Sequence, residues 1–239
     1  MIKKWPDNLR VVLVAARNPL NIGAAARAMS NFGFQRLRLA SCYAPGFREA
    51  RSAVGAPDLL RNAEEFPTLA EAVSDCSLVI GTTGAASRRP DHPLHRLDAI
   101  GPELRSRLAT ERVALLFGSE KRGLSNDDLS HCHWLLRIPT REEHLSMNLG
   151  QAVAVCLYEL IRTGSPAPPQ PVEPPATAAA LERLTSELLV SLSESGYTKP
   201  GTEGATEEKT RRLIRRMNLT DKDAETWTGM LAKMRKKIT

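Results

Sequence analysis

Three short stretches carry polar side chains that the packing of a helix or strand does not require. "NPLNIGAAAR" (18–27) sets Asn21, Gly23 and Arg27 among alanines, directly after the apolar run "VVLVAA". "FGSEKRGL" (117–124) places Glu120 between two glycines at the end of a second apolar run, and "LSMNLGQA" (145–152) puts Ser146 and Asn148 ahead of a strongly apolar segment. The chemistry open to this set is positioning and charge: one guanidinium, one carboxylate, two amides and a hydroxyl. Asn21 can cap a helix by accepting a backbone N–H, and Gly23 permits close approach in the first turn. Arg27 lies at i+4 from Gly23, one turn above it and facing the same side. Glu120 could anchor an arginine or a ribose hydroxyl, or be the exposed acid of an ordinary turn. Ser146 can cap the following helix, whereas Asn148 gains little from a place inside one.

Other chemistries lack their residues. There is no G-x-G-x-x-G after a strand and no G-x-x-x-x-G-K-[ST], which argues against dinucleotide and P-loop chemistry. "HCH" (131–133) has no partner ligands at zinc-like spacing, so no metal is expected. Cys42, Cys76, Cys132 and Cys156 form no C-x-x-C pair and read as small buried hydrophobes. A net charge of +6 favours a polyanionic partner. The excess is spread along the chain, with 12 Lys and Arg against 10 Asp and Glu after residue 164, so folding must assemble any nucleic-acid surface. No apolar run has membrane-spanning length, and "MIKKWPDNLR" contains no signal-peptide core. These readings predict a cytoplasmic protein without a membrane partner.

The polar stretches need a scaffold, and the alternation of elements describes one. Strands are predicted at 10–16, 36–41, 77–83, 113–120 and 134–139. Helices are predicted at 22–32, 62–74, 98–108, 126–131 and 147–162. Such alternation implies an α/β fold, a mostly parallel sheet with helices on both faces. In open sheets of this kind ligands bind beyond the carboxyl ends of the strands. "RNPLNIGAAAR", "TTGAASRR", "GSEKRGL" and "PTREEHLSMNLGQA" each follow a strand and can converge on one cleft. The proline-dense "SPAPPQPVEPP" (165–175) reads as a semi-rigid linker between a domain at 1–164 and a small all-α extension at 176–239. Helices are predicted there at 177–195, 205–217 and 221–237.

Taken together, the motifs resemble those of the SPOUT superfamily of RNA methyltransferases, in its TrmH-like branch of 2′-O-ribose methyltransferases. The N-x-G-x-x-x-R pattern falls on Asn21, Gly23 and Arg27, and continues to Phe32 and Gly33. F-G-x-E-x-x-G-L falls on Phe117 to Leu124, and I-P…S-x-N-x-x-x-A falls on Ile138, Pro139, Ser146, Asn148 and Ala152. The resemblance covers about residues 8–162. It implies a C-terminal trefoil knot whose loops hold S-adenosylmethionine, here Thr82, Thr83, Gly84, Gly118, Ile138, Leu145, Ser146 and Met147. It implies that Arg27 contacts the ribose hydroxyl or the adjacent phosphate. Asn21 would hold the Arg27 loop, Glu120 would orient Arg27 or the RNA, and Ser146 with Asn148 would line the methyl-transfer cleft. A homodimer with RNA lying across both protomers is also implied. The tail is similar to the helical extension of branch members that methylate the pyrimidine at position 32 of tRNA. The basic run "KTRRLIRR" (209–216) would add phosphate contacts or form a solvated face. Ribosomal RNA as substrate, and a non-catalytic RNA-binding relative, are the alternatives.

Overall fold

The structure is a computed structural model that describes residues 5–42, 46–84, 92–162 and 173–238. Seven strands form one sheet: β1 (Leu9–Val14), β2 (Leu37–Ala40), β3 (Glu64–Phe66), β4 (Leu78–Thr82), β5 (Leu94–Arg96), β6 (Val113–Phe117) and β7 (Trp134–Arg137). Their order is β3-β2-β1-β6-β4-β7-β5, and every pairing is parallel. The period-two geometry of a strand divides the apolar side chains between two faces. Leu9, Val11 and Leu13 of β1 enter one core with α1 (Pro19–Asn31), α4 (Leu97–Leu108) and α6 (Leu149–Arg162). Val12 and Val14 enter the other with α3 (Leu69–Val73) and α5 (Asn126–Ser130). Burial on both faces explains why these strands read as continuous apolar runs.

α1 and α6 lie side by side. The buried Ala25, Ala26 and Ala28 keep α1 slim, and a Cβ on Gly150 would come within 2.7 Å of the Ala24 Cβ. This close contact joins the first polar stretch to the third. At the amino ends of the strands, Asp75 instead accepts from Arg38 and pairs with Arg10 and Arg112. That cluster lies at the opposite edge of the sheet from the polar stretches.

The helix predicted at 62–74 is divided. Glu64–Phe66 is an edge strand whose Glu64 carboxylate accepts from the Arg38 guanidinium at 3.0 Å, Pro67 ends it, and the Thr68 side chain caps the short α3. Sheet pairing overrides the helical propensity of this alanine- and glutamate-rich segment. The edge strand β5 and the short α2 (Pro57–Arg61) were not anticipated.

The tail consists of α7 (Ala178–Glu194), α8 (Glu203–Arg216) and α9 (Asp221–Ile238), which share a core of Ala180, Leu181, Leu184, Ile214 and Ala224. It is docked on the domain. The Ala178 and Ala179 N–H groups donate to the Cys76 and Ser74 carbonyls at 2.6 and 3.0 Å, and Ala178 completes the second core. Most of the predicted linker, 165–172, lies outside the described residues. Residues 173–175 belong with the tail: Pro174 accepts from the Asp221 N–H, and Pro175 bridges Thr220.

The basic run 209–216 is divided between two faces: Lys209 and Arg216 are exposed, whereas two of its arginines are withdrawn from any phosphate surface. Arg211 and Arg215 are buried, and both bond Glu182 of α7. Four residues apart, they share the stripe of Ile214 and serve packing.

Candidate active site

The four strands followed by the polar stretches are neighbours in the sheet: β1, β6, β4 and β7. Their carboxyl ends therefore deliver Asn21, Glu120, Thr82 to Gly84, and the 138–148 segment to one edge. β1 ends at Val14, and the next residue, Ala15, has a φ of 51°, left-handed and unfavourable for a residue with a Cβ. The chain then enters α1 with Asn18 as its cap, the Asn18 side chain accepting from the Leu20 N–H, and with Pro19 at the first helical position.

Asn21 is therefore not the cap, and its amide is available for another purpose. Its Nδ2 donates to Glu120 Oε1 at 2.9 Å, and its Oδ1 accepts from Asn148 Nδ2 at 3.2 Å. Asn148 Oδ1 accepts from the Gly150 and Gln151 N–H groups at 2.9 and 3.4 Å. Asn148, not Ser146, thus caps α6, which begins at Leu149 and not at 147. One rail of hydrogen bonds joins the three motifs: Glu120 to Asn21 to Asn148 to the start of α6. The Glu120 carboxylate is also held by the Asn18 N–H at 3.4 Å.

Of the two roles expected of Glu120, orienting Arg27 or the RNA, the contact with Arg27 is not made; Asn21 takes the carboxylate. The Arg27 side chain is exposed and has no hydrogen bond or ion pair to any described residue. It therefore stands ready for a partner from outside the chain.

Partial burial alone would raise the pKa of Glu120. The hydrogen bonds from Asn21 and from the backbone of Glu120, Asn18 and Arg17 outweigh it, and the pKa falls below the ordinary glutamate value. With a depressed folded-state pKa, the bonded carboxylate stabilises the fold above the free-glutamate value. That contribution disappears as pH falls through the folded-state pKa. Glu120→Gln keeps an acceptor but cannot titrate. Melting curves from pH 3 to 7 should therefore show a shallower acid decline for the variant; identical profiles would mean that Glu120 carries no linkage.

Beside the rail lies a cavity of about 380 Å³. Thr82, Thr83, Gly84, Gly118, Ile138, Leu145, Ser146 and Met147 all line it, as does Glu120. Asn21, Arg27 and Asn148 are not among its lining residues. Leu124, Leu129, Thr140, Leu149 and Ala152 add to its walls, with Phe117, Ser119 and Gly123 of the second motif, and Lys121 and Arg122 bring positive charge. They were not named as cofactor contacts, although Lys121, Arg122 and Leu124 stand inside the quoted second motif and Ala152 ends the third. Two glycines let backbones cross here. A Cβ on Gly118 would overlap the backbone of Gly123 and Leu124, and one on Gly84 would lie 2.5 Å from the Leu145 carbonyl oxygen. Volume, apolar walls and a few polar groups match a small-molecule site. They suit an adenosine-sized group with a charged end.

The other reactive groups are withdrawn from chemistry. Burial pushes the Cys42 thiol up to about 11, so it stays protonated. Burial, with Arg211 and Arg215 nearby, holds His131 neutral, its pKa near 3. His133 Nδ1 accepts from the Val79 N–H at 3.0 Å. Among the described residues no group of three His, Cys, Asp or Glu could hold a metal ion. No helix among them is long and apolar enough to cross a membrane.

Comparison with known proteins covers nearly the whole chain. The model of the SpoU rRNA Methylase family matches residues 8–158. The tRNA (cytidine/uridine-2′-O-)-methyltransferase TrmJ of Pectobacterium atrosepticum is 33% identical over 236 residues, 96% of this chain and 98% of that protein. The enzyme of the same name from Klebsiella pneumoniae is 35% identical, covering 95% of this chain and 96% of its own. The crystal structure of TrmJ from Z. mobilis superposes with a TM-score of 0.83 at 31% identity, over 95% of this chain and 98% of the other.

Proposed function

Because the chain belongs to the SpoU rRNA Methylase family, we propose that the cavity and the rail are the two halves of a tRNA 2′-O-ribose methyltransferase site. The chain is an S-adenosylmethionine-dependent enzyme that methylates ribose 2′-hydroxyls of tRNA. The observation that carries this reading is the rail itself. Three motifs distant in sequence are hydrogen-bonded to one another, and one member, Glu120, lines a cavity of cofactor size.

S-adenosylmethionine supplies a methyl group already activated by its sulfonium, so the protein has to place the hydroxyl and assist loss of its proton. Thr82, Thr83, Gly84, Gly118, Ile138, Leu145, Ser146 and Met147 would hold it. The glycines admit the close approach of backbone groups, and the apolar side chains form a slot for a flat ring. Arg27 would bind the 2′-oxygen or the neighbouring phosphate. A guanidinium stays protonated, so its part is to position the hydroxyl and to stabilise negative charge developing on the oxygen. Asn21 and Glu120 hold the first turn of α1, and with it the helix carrying Arg27. Asn148 fixes the start of α6, and Ser146 offers a hydroxyl at the cavity wall.

The finer parts of the reading are that the pyrimidine at position 32 is the target, that the enzyme works as a homodimer in the cytoplasm, and that the C-terminal segments are knotted. Support for the target is the tail: the relatives named for tRNA match through it, beyond the family match that ends at residue 158. Support for the homodimer is an apolar surface where Leu20 of α1 and Val155 and Tyr158 of α6 are exposed, with Phe32 against Tyr158. Support for the knot is the tight crossing of Gly84 and Leu145. The test is to map 2′-O-methylated positions in RNA from cells lacking the protein. The methyl group should vanish from pyrimidine 32 of tRNA and return with the wild-type gene but not with Arg27→Ala. Loss from ribosomal RNA alone would overturn the tRNA assignment.

A further inference from the structure

Arg211 is a second point where the tail grips the domain, apart from the start of α7. Its guanidinium is 5% exposed and meets acceptors from three helices. Nε donates to both oxygens of Glu182 on α7 at 3.1 and 3.2 Å, and Nη2 pairs with Glu207 on its own helix. Nη1 reaches into the domain, donating to Ser130 Oγ at 2.9 Å and to Asp127 Oδ1 at 3.4 Å. Ser130, fully buried, donates a hydrogen bond from its hydroxyl to the Asp127 carbonyl at 2.7 Å.

Those domain acceptors lie on α5, a five-residue helix too short to be stable unaided. A capping box between Ser125 and Asp128 secures its start, and Arg211 secures its end. The opposite side of α5 belongs to the cavity. Leu129 and the preceding Leu124 line it, and the same two leucines pack on Gly81 immediately before Thr82 and Thr83. α5 is therefore a lever: Arg211 holds one face, and the cavity wall is the other.

We propose that Arg211 is a positioning residue for the cofactor pocket, through which docking of the tail sets the affinity for S-adenosylmethionine. It does not touch the cavity itself. It fixes α5, which places Leu124 and Leu129. The proposal rests on the assignment of the cavity to that cofactor. Energetic coupling of this kind is typically worth about 1–3 kcal/mol, or fivefold and upward in affinity.

The experiment is titration calorimetry of the full chain with S-adenosylhomocysteine, beside thermal melting and the separation of KM from kcat for S-adenosylmethionine. Arg211→Ala and Ser130→Ala should each raise Kd about fivefold or more and raise KM with little change in kcat. Arg211→Lys, which keeps the charge and one donor direction, should recover part of the affinity. Glu187→Gln is the contrast. It removes the 3.4 Å pair with Arg235 that ties α7 to α9, away from α5. It should lower Tm and leave Kd unchanged. Should Arg211→Ala fail to fold, Ser130→Ala decides alone. Unchanged Kd in the folded variants overturns the proposal, as does an equal loss in Glu187→Gln, which would indicate general loosening. A wild-type chain that failed to bind S-adenosylhomocysteine would overturn the assignment of the cavity, and this proposal with it.

Discussion

Arg27→Ala is expected to lower methyl transfer to tRNA by about 100- to 1,000-fold, the usual consequence of removing one preorganised donor from a site of developing charge. Binding of S-adenosylhomocysteine should stay within about twofold of wild type, because Arg27 does not line the cavity. Stability should barely change. The side chain is exposed and bonded to no described residue, and such substitutions usually fall within about 0.5 kcal/mol. Arg27→Lys should recover only a fraction of the activity, since a point charge cannot reproduce a planar fork. A tritiated-methyl assay on bulk tRNA with calorimetry in parallel makes the comparison. A variant that keeps most of its activity would remove Arg27 from the mechanism.

Gly118→Ala is expected to act on the other half of the site. The added Cβ would run into the backbone of Gly123 and Leu124. Backbone cannot turn aside as a flexible side chain can, so the 118–124 loop has to open. Overpacking costs about 1–3 kcal/mol, and concentrated in a loop that forms the cavity wall it should weaken S-adenosylhomocysteine binding by on the order of 100-fold. Gly123→Ala offers the contrast within the same loop. Gly123 has a φ of +68° but no atom within 4 Å of the added Cβ. Only backbone strain of about 1 kcal/mol applies there. Equal losses at the two positions would show that conformational freedom, not the crossing of two backbones, explains Gly118.

The layout of the site was legible because parallel sheets place ligands at strand exits, and the exits of β1, β4, β6 and β7 announce themselves with polar residues after apolar runs. The internal bonding was not. Asn21 was read as a cap, yet Pro19 favours the residue before it, and Asn18 takes that role. Ser146 was read as the cap of the last domain helix, yet Asn148 takes that role, its Oδ1 accepting from the Gly150 and Gln151 N–H groups while its Nδ2 donates to Asn21. That Glu120 would meet an amide and not Arg27 depends on which face of α1 the sheet presents, a tertiary fact without local signal. Edge strands were missed for a related reason: Glu64–Phe66 and Leu94–Arg96 are three residues each, too short for periodicity to register. The buried arginines of α8 did have a signal, since Arg211 and Arg215 bracket Ile214 on one helical stripe.

The rail also bears on synthesis. Its two side-chain links join residues 99 and 127 positions apart, so neither can form by local collapse. Closing such long loops is slow and comes only after the sheet has aligned its strands. A chain emerging from the ribosome has presented Arg27 long before Asn148 exists. Until α6 is released and seated against α1, the first two motifs have no third to bond to. Completion of the rail therefore waits on the last helix of the domain, and no earlier stage of synthesis can join all three motifs.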